Sequence, residues 1–236
     1  MTGRAHPAPA EEKVADELVV RLAALDACAV SDALDRLGLP GAALGLTALA
    51  APRRIAGRAV TVHLVDDRPG AAPGGRHLGT AAVDASGPGD VIVVAHHGRR
   101  HVAGWGGVLS AGARRNGVEG VVVHGACRDV DEARELDLPL YATTGVPVTA
   151  RGRVVERAWN VPVDIADVPV YPGDLVIADA SGVVFVPAAH AEEVLATAEA
   201  IVTKERAMVE RVRAGHPMAE VMSADYETML DGGARR

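Results

Sequence analysis

The run from Gly104 to Asp129, GWGGVLSAGARRNGVEGVVVHGACRD, constrains the fold more than any other part of the chain. It reads as a glycine loop, a short helix starting near Gly107, an apolar strand, and a tight turn carrying Arg128 beside Asp129. The valine run is too short for a helix and is β-branched throughout, which suits a strand covered on both faces. Val91–Ala95, after the turn Gly87-Pro88-Gly89-Asp90, has the same character. Such strands alternate with helices in an α/β fold, whose ligands collect at the carboxyl ends of the strands. Arg128 and Asp129 fall at one of those ends.

The residue types there suit a small oxo-acid. Glycines let backbone approach a ligand closely. A helix start near Gly107 offers unpaired N–H groups and the positive end of a dipole to an anion. Arg128 can grip a carboxylate with two parallel hydrogen bonds. Asp129 is a hard oxygen ligand for Mg²⁺ or a similar ion. A plainer reading stands beside this one: a surface ion pair, with Asp129 capping the following helix, VDEAREL. Trp105 closes a pocket or anchors the loop, and the residues alone do not separate the two. Cys127 reads as a small buried residue under the turn.

Half the residues are hydrophobic but only 3% are aromatic, so the core must be built from Val, Ala and Leu. A length of 236 residues suits one α/β domain with short extensions. The net charge of −7 argues against nucleic acid as a partner. Two cysteines, Cys28 and Cys127, make no disulfide framework. No apolar stretch approaches a membrane span, and MTGRAHPAPAEE lacks the apolar centre of a signal peptide. A cytoplasmic enzyme is the expectation.

Along the chain, residues 1–12 read as a flexible tail, 13–216 as the folded domain and 217–236 as a C-terminal extension. Helices are expected over Lys13–Leu25 and Ala29–Leu37, the second with Ser31 or Asp32 near its start and Gly38 at its end. Leu39–Pro52 reads as a loop, Ile55–Val65 as a strand, Asp66–Arg76 as a turn-rich loop and His77–Ser86 as a short helix. His96, His97 and His101 invite a metal reading, but Gly98 argues against the helix that would align them. A mobile basic loop at the mouth of an anion site is the preferred reading. Leu138–Ala142, Val146–Val155, Val161–Ile165, Val168–Val170, Leu175–Ala178 and Val183–Pro187 read as extended pieces. His190–Ala214 reads as one long helix, ended by Gly215.

Several ordered motifs carry a family resemblance: SDALDRLG at Ser31, GRAVTV at Gly57, GPGDVIVV at Gly87, the Gly104 stretch continued to VDE, YPGDLVIADASGVVFVP at Tyr171, and the last helix with its Lys204-Glu205 pair. Over residues 25–215 the chain resembles the RraA-like family, the class II pyruvate aldolases related to regulator of ribonuclease activity A. Its enzymes include 4-hydroxy-4-methyl-2-oxoglutarate aldolase, also called 4-carboxy-4-hydroxy-2-oxoadipate aldolase.

The resemblance implies a single layered α/β/β/α domain of the swivelling-domain-like kind, with a long C-terminal helix. It implies homotrimers or homohexamers with the active site between subunits. Carried over by position, Arg128 would bind the pyruvyl carboxylate, Asp129 the divalent metal (Mg²⁺ or Mn²⁺), and the loop and amides of Gly106, Gly107, Val108 and Leu109 the substrate's oxygens. Glu205 of a neighbouring subunit would serve the metal, with Glu199 and Glu210 on the same helix as alternatives. The implied reaction cleaves a 4-hydroxy-2-oxo acid to pyruvate and a carbonyl compound through a metal-stabilised enolate, with oxaloacetate decarboxylation as a side activity. A ribonuclease-binding regulator without activity, or a lyase on a biosynthetic intermediate, are the other implied roles. Many of the enzymes carry Asp or Glu where this chain has Gly107; a carboxylate or histidine from elsewhere is the expected replacement, with His124, His96 and His97 as candidates. With only Lys13 and Lys204 as lysines, both in charged helices, a Schiff-base aldolase is not expected.

Overall fold

The computed structural model describes residues 16–68 and 77–222. The expected tail at 1–12, most of the 66–76 loop and most of the 217–236 extension therefore lie outside the described residues. Helix α1 (Glu17–Ala23) follows an Asp16 cap. Helix α2 (Ala27–Leu37) begins earlier than expected, because Asp26 is the capping residue and accepts the Ala29 N–H at 2.9 Å. Ser31 and Asp32 sit inside the helix, and Ala27, Val30, Ala33 and Leu34 face the core. Gly38 ends it in the left-handed conformation, φ 69°.

Residues 39–52 are not only loop: they hold strands β1 (Ala42–Ala43) and β2 (Thr47–Ala50). Then come β3 (Ile55–Asp66), α3 (Thr80–Ala85) and β4 (Asp90–Ala103). Strand β4 corrects the reading of 96–101 as a mobile loop. It runs through the histidines, with register breaks against its neighbour between Ala95 and Arg99 and again before Ala103. His97 and Gly98 sit at φ 52° and 66°, so the extra residues bulge out rather than ending the strand.

Helix α4 (Gly107–Arg115), β5 (Gly120–Cys127), α5 (Val130–Glu135) and β6 (Leu140–Gly145) follow. The expected strand at 146–155 is mostly loop; β7 (Val154–Trp159) starts at its end. The chain continues through β8 (Val163–Ile165), β9 (Val168–Val170), β10 (Leu175–Asp179) and β11 (Gly182–Val186). It then enters the long helix α6 (Ala191–Arg213) and the short α7 (Met218–Val221).

Strands β3, β4, β5 and β6 are parallel neighbours, joined by α3, α4 and α5 as successive βαβ units. On the other edge of β3, β10 pairs with residues 55–58 and β7 with 62–66, both antiparallel. Alternation then sorts the side chains into three cores. Val62, Leu64, Ile92, Val94, Val121 and Val123 pack under α3–α5 with Trp105 and Leu109. On the opposite face, Val91, Val93, Ala95 and Val122 meet Val176, Ala178 and Phe185 of β10–β11 and the β8–β9 ribbon. Leu175, Ile177, Val184 and Val186 turn outward to Leu22, Leu34, Val194 and Leu195 of α1, α2 and α6. The order is helices, sheet, sheet, helices, as expected. Among the described residues, no helix is long and apolar enough to cross a membrane.

Candidate active site

The carboxyl end of β5 and the start of α4 are tied together by backbone. Gly104 N donates to Ala126 O at 2.8 Å, and Arg128 N to Trp105 O at 3.0 Å. Asp129 then takes the left-handed conformation, φ 55° and ψ 42°, which a short polar side chain tolerates. It precedes α5 but makes no side-chain cap there, so the capping alternative does not hold. Its Oδ2 instead accepts the Gly107 N–H at 2.9 Å, across to the first residue of α4. Arg128 Nε donates to both Asp129 oxygens at 3.1 Å, which leaves the two terminal guanidinium nitrogens for a ligand. The N-cap residue of α4, Gly106, has no side chain to cap the helix, and beyond the Gly107 N–H taken by Asp129 the N–H groups of Val108 and Leu109 stand at its positive end. Val108 is 89% exposed.

These groups line one cleft of about 390 Å³, with Thr149–Gly152 and His77 on the facing wall. Trp105 also lines it, yet is buried and donates its indole N–H to Ser110 Oγ at 2.9 Å. It is a packing anchor whose edge forms part of the wall. Cys127 lies fully buried, and burial pushes its thiol up to about 11, which removes it as a nucleophile.

The structure adds one residue that the sequence reading missed. A Cβ built on Gly107 would overlap Glu132 Oε2, and would lie 3.2 Å from Asp129 Cβ. The Glu132 carboxylate, on α5 three residues after Asp129, thus occupies the space that a side chain at 107 would take. The one signal in the sequence was an acidic residue three positions after Asp129, in the first turn of α5. None of the three histidines suggested for this role lines the cleft. His96 is buried and bonded to Val102 O at 2.8 Å, His97 contacts His63, and His124 Nδ1 accepts the Ala166 N–H.

Glu205 is not brought to Arg128 and Asp129 within the chain. It lines a separate cleft with Asp26, Arg54 and Arg206. Of the three candidate glutamates on that helix, Glu199 gives both oxygens to Arg21 at 2.8 and 3.1 Å, and Glu210 pairs with Arg213 at 2.7 Å. Glu205 makes no such pair. Partial burial and the charges of Asp26 and Asp32 raise its carboxyl above the usual range. Asp32 is raised likewise, by burial first and then by Asp35 and Asp26.

Comparison with known proteins gives a consistent result. DlpA of Legionella pneumophila is 31% identical over 207 residues, covering 85% of this chain but only 33% of DlpA. The chain thus spans about a third of that relative's length. A Deinococcus radiodurans protein provisionally named 4-hydroxy-4-methyl-2-oxoglutarate aldolase is 37% identical over 129 residues, covering 55% of this chain and 75% of its own. Among solved structures, an uncharacterised Pseudomonas syringae protein superposes with a TM-score of 0.79 at 30% identity, covering 89% of this chain and 98% of its own. Streptomyces coelicolor RraAS2, described as an unusual member of the RNase ES inhibitor RraA family, gives 0.72 at 30% identity, over 86% and 99%. The RraA-like family model, Aldolase/RraA, matches residues 27–185, and the chain belongs to that family.

Proposed function

We propose that this chain is a divalent-metal-dependent lyase that cleaves a 4-hydroxy-2-oxo acid to pyruvate and a carbonyl compound. The observation that carries the reading is the joining of Arg128 and Asp129 to the start of α4 in one cleft, with the Glu132 carboxylate beside Gly107. The provisional aldolase names of several relatives support the reaction class.

The donor set fits a hard dication. Asp129 lines the cleft with a carboxylate and Glu132 holds another beside Gly107, and oxygen is what Mg²⁺ and Mn²⁺ prefer. Among the described residues, no group of three or more His, Cys, Asp or Glu converges there. The remaining positions fall to substrate, water and, on this reading, Glu205 of an adjacent subunit in a trimer or hexamer. When bound, the ion supplies positive charge beside the keto and carboxylate oxygens of the substrate.

The chain's own residues do the rest. The free guanidinium nitrogens of Arg128 hold the carboxylate as a fork. The Val108 and Leu109 N–H groups face oxygen on which charge develops as the C3–C4 bond breaks. Glu132 Oε2 takes the proton from the C4 hydroxyl as that bond breaks, leaving the electron pair on the pyruvyl fragment as an enolate, and a proton returned to C3 completes pyruvate. The same electron sink supports decarboxylation of oxaloacetate. No lysine lines the cleft, so borohydride with pyruvate is expected to trap no adduct.

The test is pyruvate release from 4-hydroxy-4-methyl-2-oxoglutarate and from oxaloacetate, with Mg²⁺, Mn²⁺ or EDTA, beside Asp129→Ala. Turnover that needs metal and is lost in the variant is the expected result. The likeness to RraAS2 favours one second reading, a protein-binding regulator. Absence of turnover with every metal, together with capture of a ribonuclease by the intact chain, would replace the lyase reading with that one.

A further inference from the structure

Three histidines stand on neighbouring strands at the carboxyl half of the parallel sheet: His63 on β3, His97 in the β4 bulge and His124 on β5. His63 follows Val62 and precedes Leu64, both in the core under α3–α5. By alternation His63 points to the other face, away from the cleft. There its Nε2 lies 3.2 Å from Nε2 of His97, with the rings 62° apart and their centres at 5.2 Å.

We propose that His63 and His97 form an accessory site for a borderline transition-metal dication, Zn²⁺, Ni²⁺ or Cu²⁺, held by their two Nε2 atoms. The separation matches. Two imidazole nitrogens at the usual bond length on one tetrahedral zinc lie about 3.3–3.4 Å apart, against 3.2 Å here. In the metal-free chain the same distance is a hydrogen bond, which needs one ring as its Nε2–H tautomer. Moving that proton to Nδ1 turns both lone pairs toward a shared point. Imidazole nitrogen favours these ions over Mg²⁺ and Mn²⁺, so the site differs in chemistry from the carboxylates of the cleft.

The placement is rigid. His63 lies within a twelve-residue strand. His97 is turned toward it by the left-handed backbone of the bulge, φ 52°, followed by Gly98 at φ 66°. His124 does not join as a ligand. Its Nδ1 accepts the Ala166 N–H at 3.1 Å, which places its own proton on Nε2 in the neutral ring. Among the described residues, no third His, Cys, Asp or Glu completes the group, so water fills the other positions.

The test is calorimetric titration of the Asp129→Ala chain with NiCl₂ and ZnCl₂, with excess Mg²⁺ present throughout. Asp129→Ala takes the cleft out of the measurement. One equivalent of Ni²⁺ is expected to bind, and His63→Gln or His97→Asn is expected to weaken it about a hundredfold by ending the two-point attachment. Asparagine tolerates the left-handed backbone at 97. A second readout needs neither histidine variant: Cu²⁺ bound to the same chain should show electron paramagnetic resonance coupling to two imidazole nitrogens. Unchanged Ni²⁺ affinity in both histidine variants, or Cu²⁺ coupled to one nitrogen or none, overturns the proposal.

Discussion

Gly107→Ala is the sharpest single perturbation of the site. Gly107 is the first residue of α4, and alanine suits a helix better than glycine by up to about 1 kcal/mol. The new methyl would land on Glu132 Oε2, the far end of an exposed, flexible side chain. Glu132 can swing aside at a rotamer cost of about 1 kcal/mol, so the two terms nearly cancel. For a chain of this length the melting temperature should move by less than about 4 °C. Activity should not survive in the same way. If Glu132 moves the C4 proton, displacing it removes roughly a hundredfold in kcat/KM, about 2.7 kcal/mol. Pyruvate release, followed through NADH consumption by lactate dehydrogenase, measures this for Gly107→Ala, Glu132→Gln and the double variant. Because both changes act through one carboxylate, the double variant should be no slower than Glu132→Gln alone. Losses that multiply, or a Gly107→Ala enzyme with more than half the parent activity, would refute the assignment of Glu132.

Two further outcomes concern stability. Asp174 is 4% exposed and accepts the Tyr171 and Ala188 N–H groups, both at 2.8 Å. Asp174→Asn turns an amide NH₂ toward one of those donors, costing about 2–3 kcal/mol and roughly 4–12 °C in melting temperature, by calorimetry. Glu205 and Glu199 should respond to pH with opposite signs. The Glu205 carboxyl is raised, so its charged form opposes folding above the folded pKa and the penalty is gone below the ordinary value of 4.5. Glu205→Gln should therefore raise the melting temperature at pH 7 and lose that gain in acid, while losing activity. Glu199 is lowered, first by its hydrogen bonds to Arg21, so its contribution is present above the ordinary value and lost as pH falls through the folded pKa. Glu199→Gln should lower the melting temperature at pH 7 by a modest, salt-sensitive amount, and converge with the parent in acid. Matching signs for the two variants would break the argument.

The parallel strands were legible because burial on both faces leaves no polar residue to blur them: VIVVA and VVV have no other reading. The long last helix was legible from its stripe. What failed did so for local physical reasons. Strands β1 and β2 have two and four residues, too few to show a period. The continuation of β4 was hidden because a bulge breaks alternation and places glycine and charged residues inside a strand. Asp26 and Asp32 offer the same capping chemistry three and nine residues after the end of α1, and only packing chooses between them. At the site, Arg128 and Asp129 were visible because a turn residue between apolar strand and helix has few duties. Glu132 was not, since an acidic residue in a first helical turn is ordinary, and its meaning depends on how closely α5 approaches α4. Nothing local in a sequence encodes that approach.

The layering bears on assembly. Glu205 stands on α6, packed outside β10–β11, while Arg128 and Asp129 belong to the opposite side of the parallel sheet. Two layers of strands separate them, so on the proposed reading Glu205 serves that cleft only from another copy. This makes a prediction that does not depend on whether the assembly is a trimer or a hexamer. On the proposed reading, Asp129→Ala and Glu205→Gln chains should each be inactive alone, while each carries the half that the other lacks. If the assembly is a closed ring, every site should combine Asp129 of one subunit with Glu205 of its neighbour. Unfolding and refolding the two variants together in equal amounts then gives about a quarter of the sites both groups intact, and about a quarter of the parent activity. Separately refolded variants mixed afterward should gain nothing until subunits exchange. A co-refolded mixture as inactive as its parts would place Glu205 outside the site, and its raised carboxyl would then be a cost with no function attached.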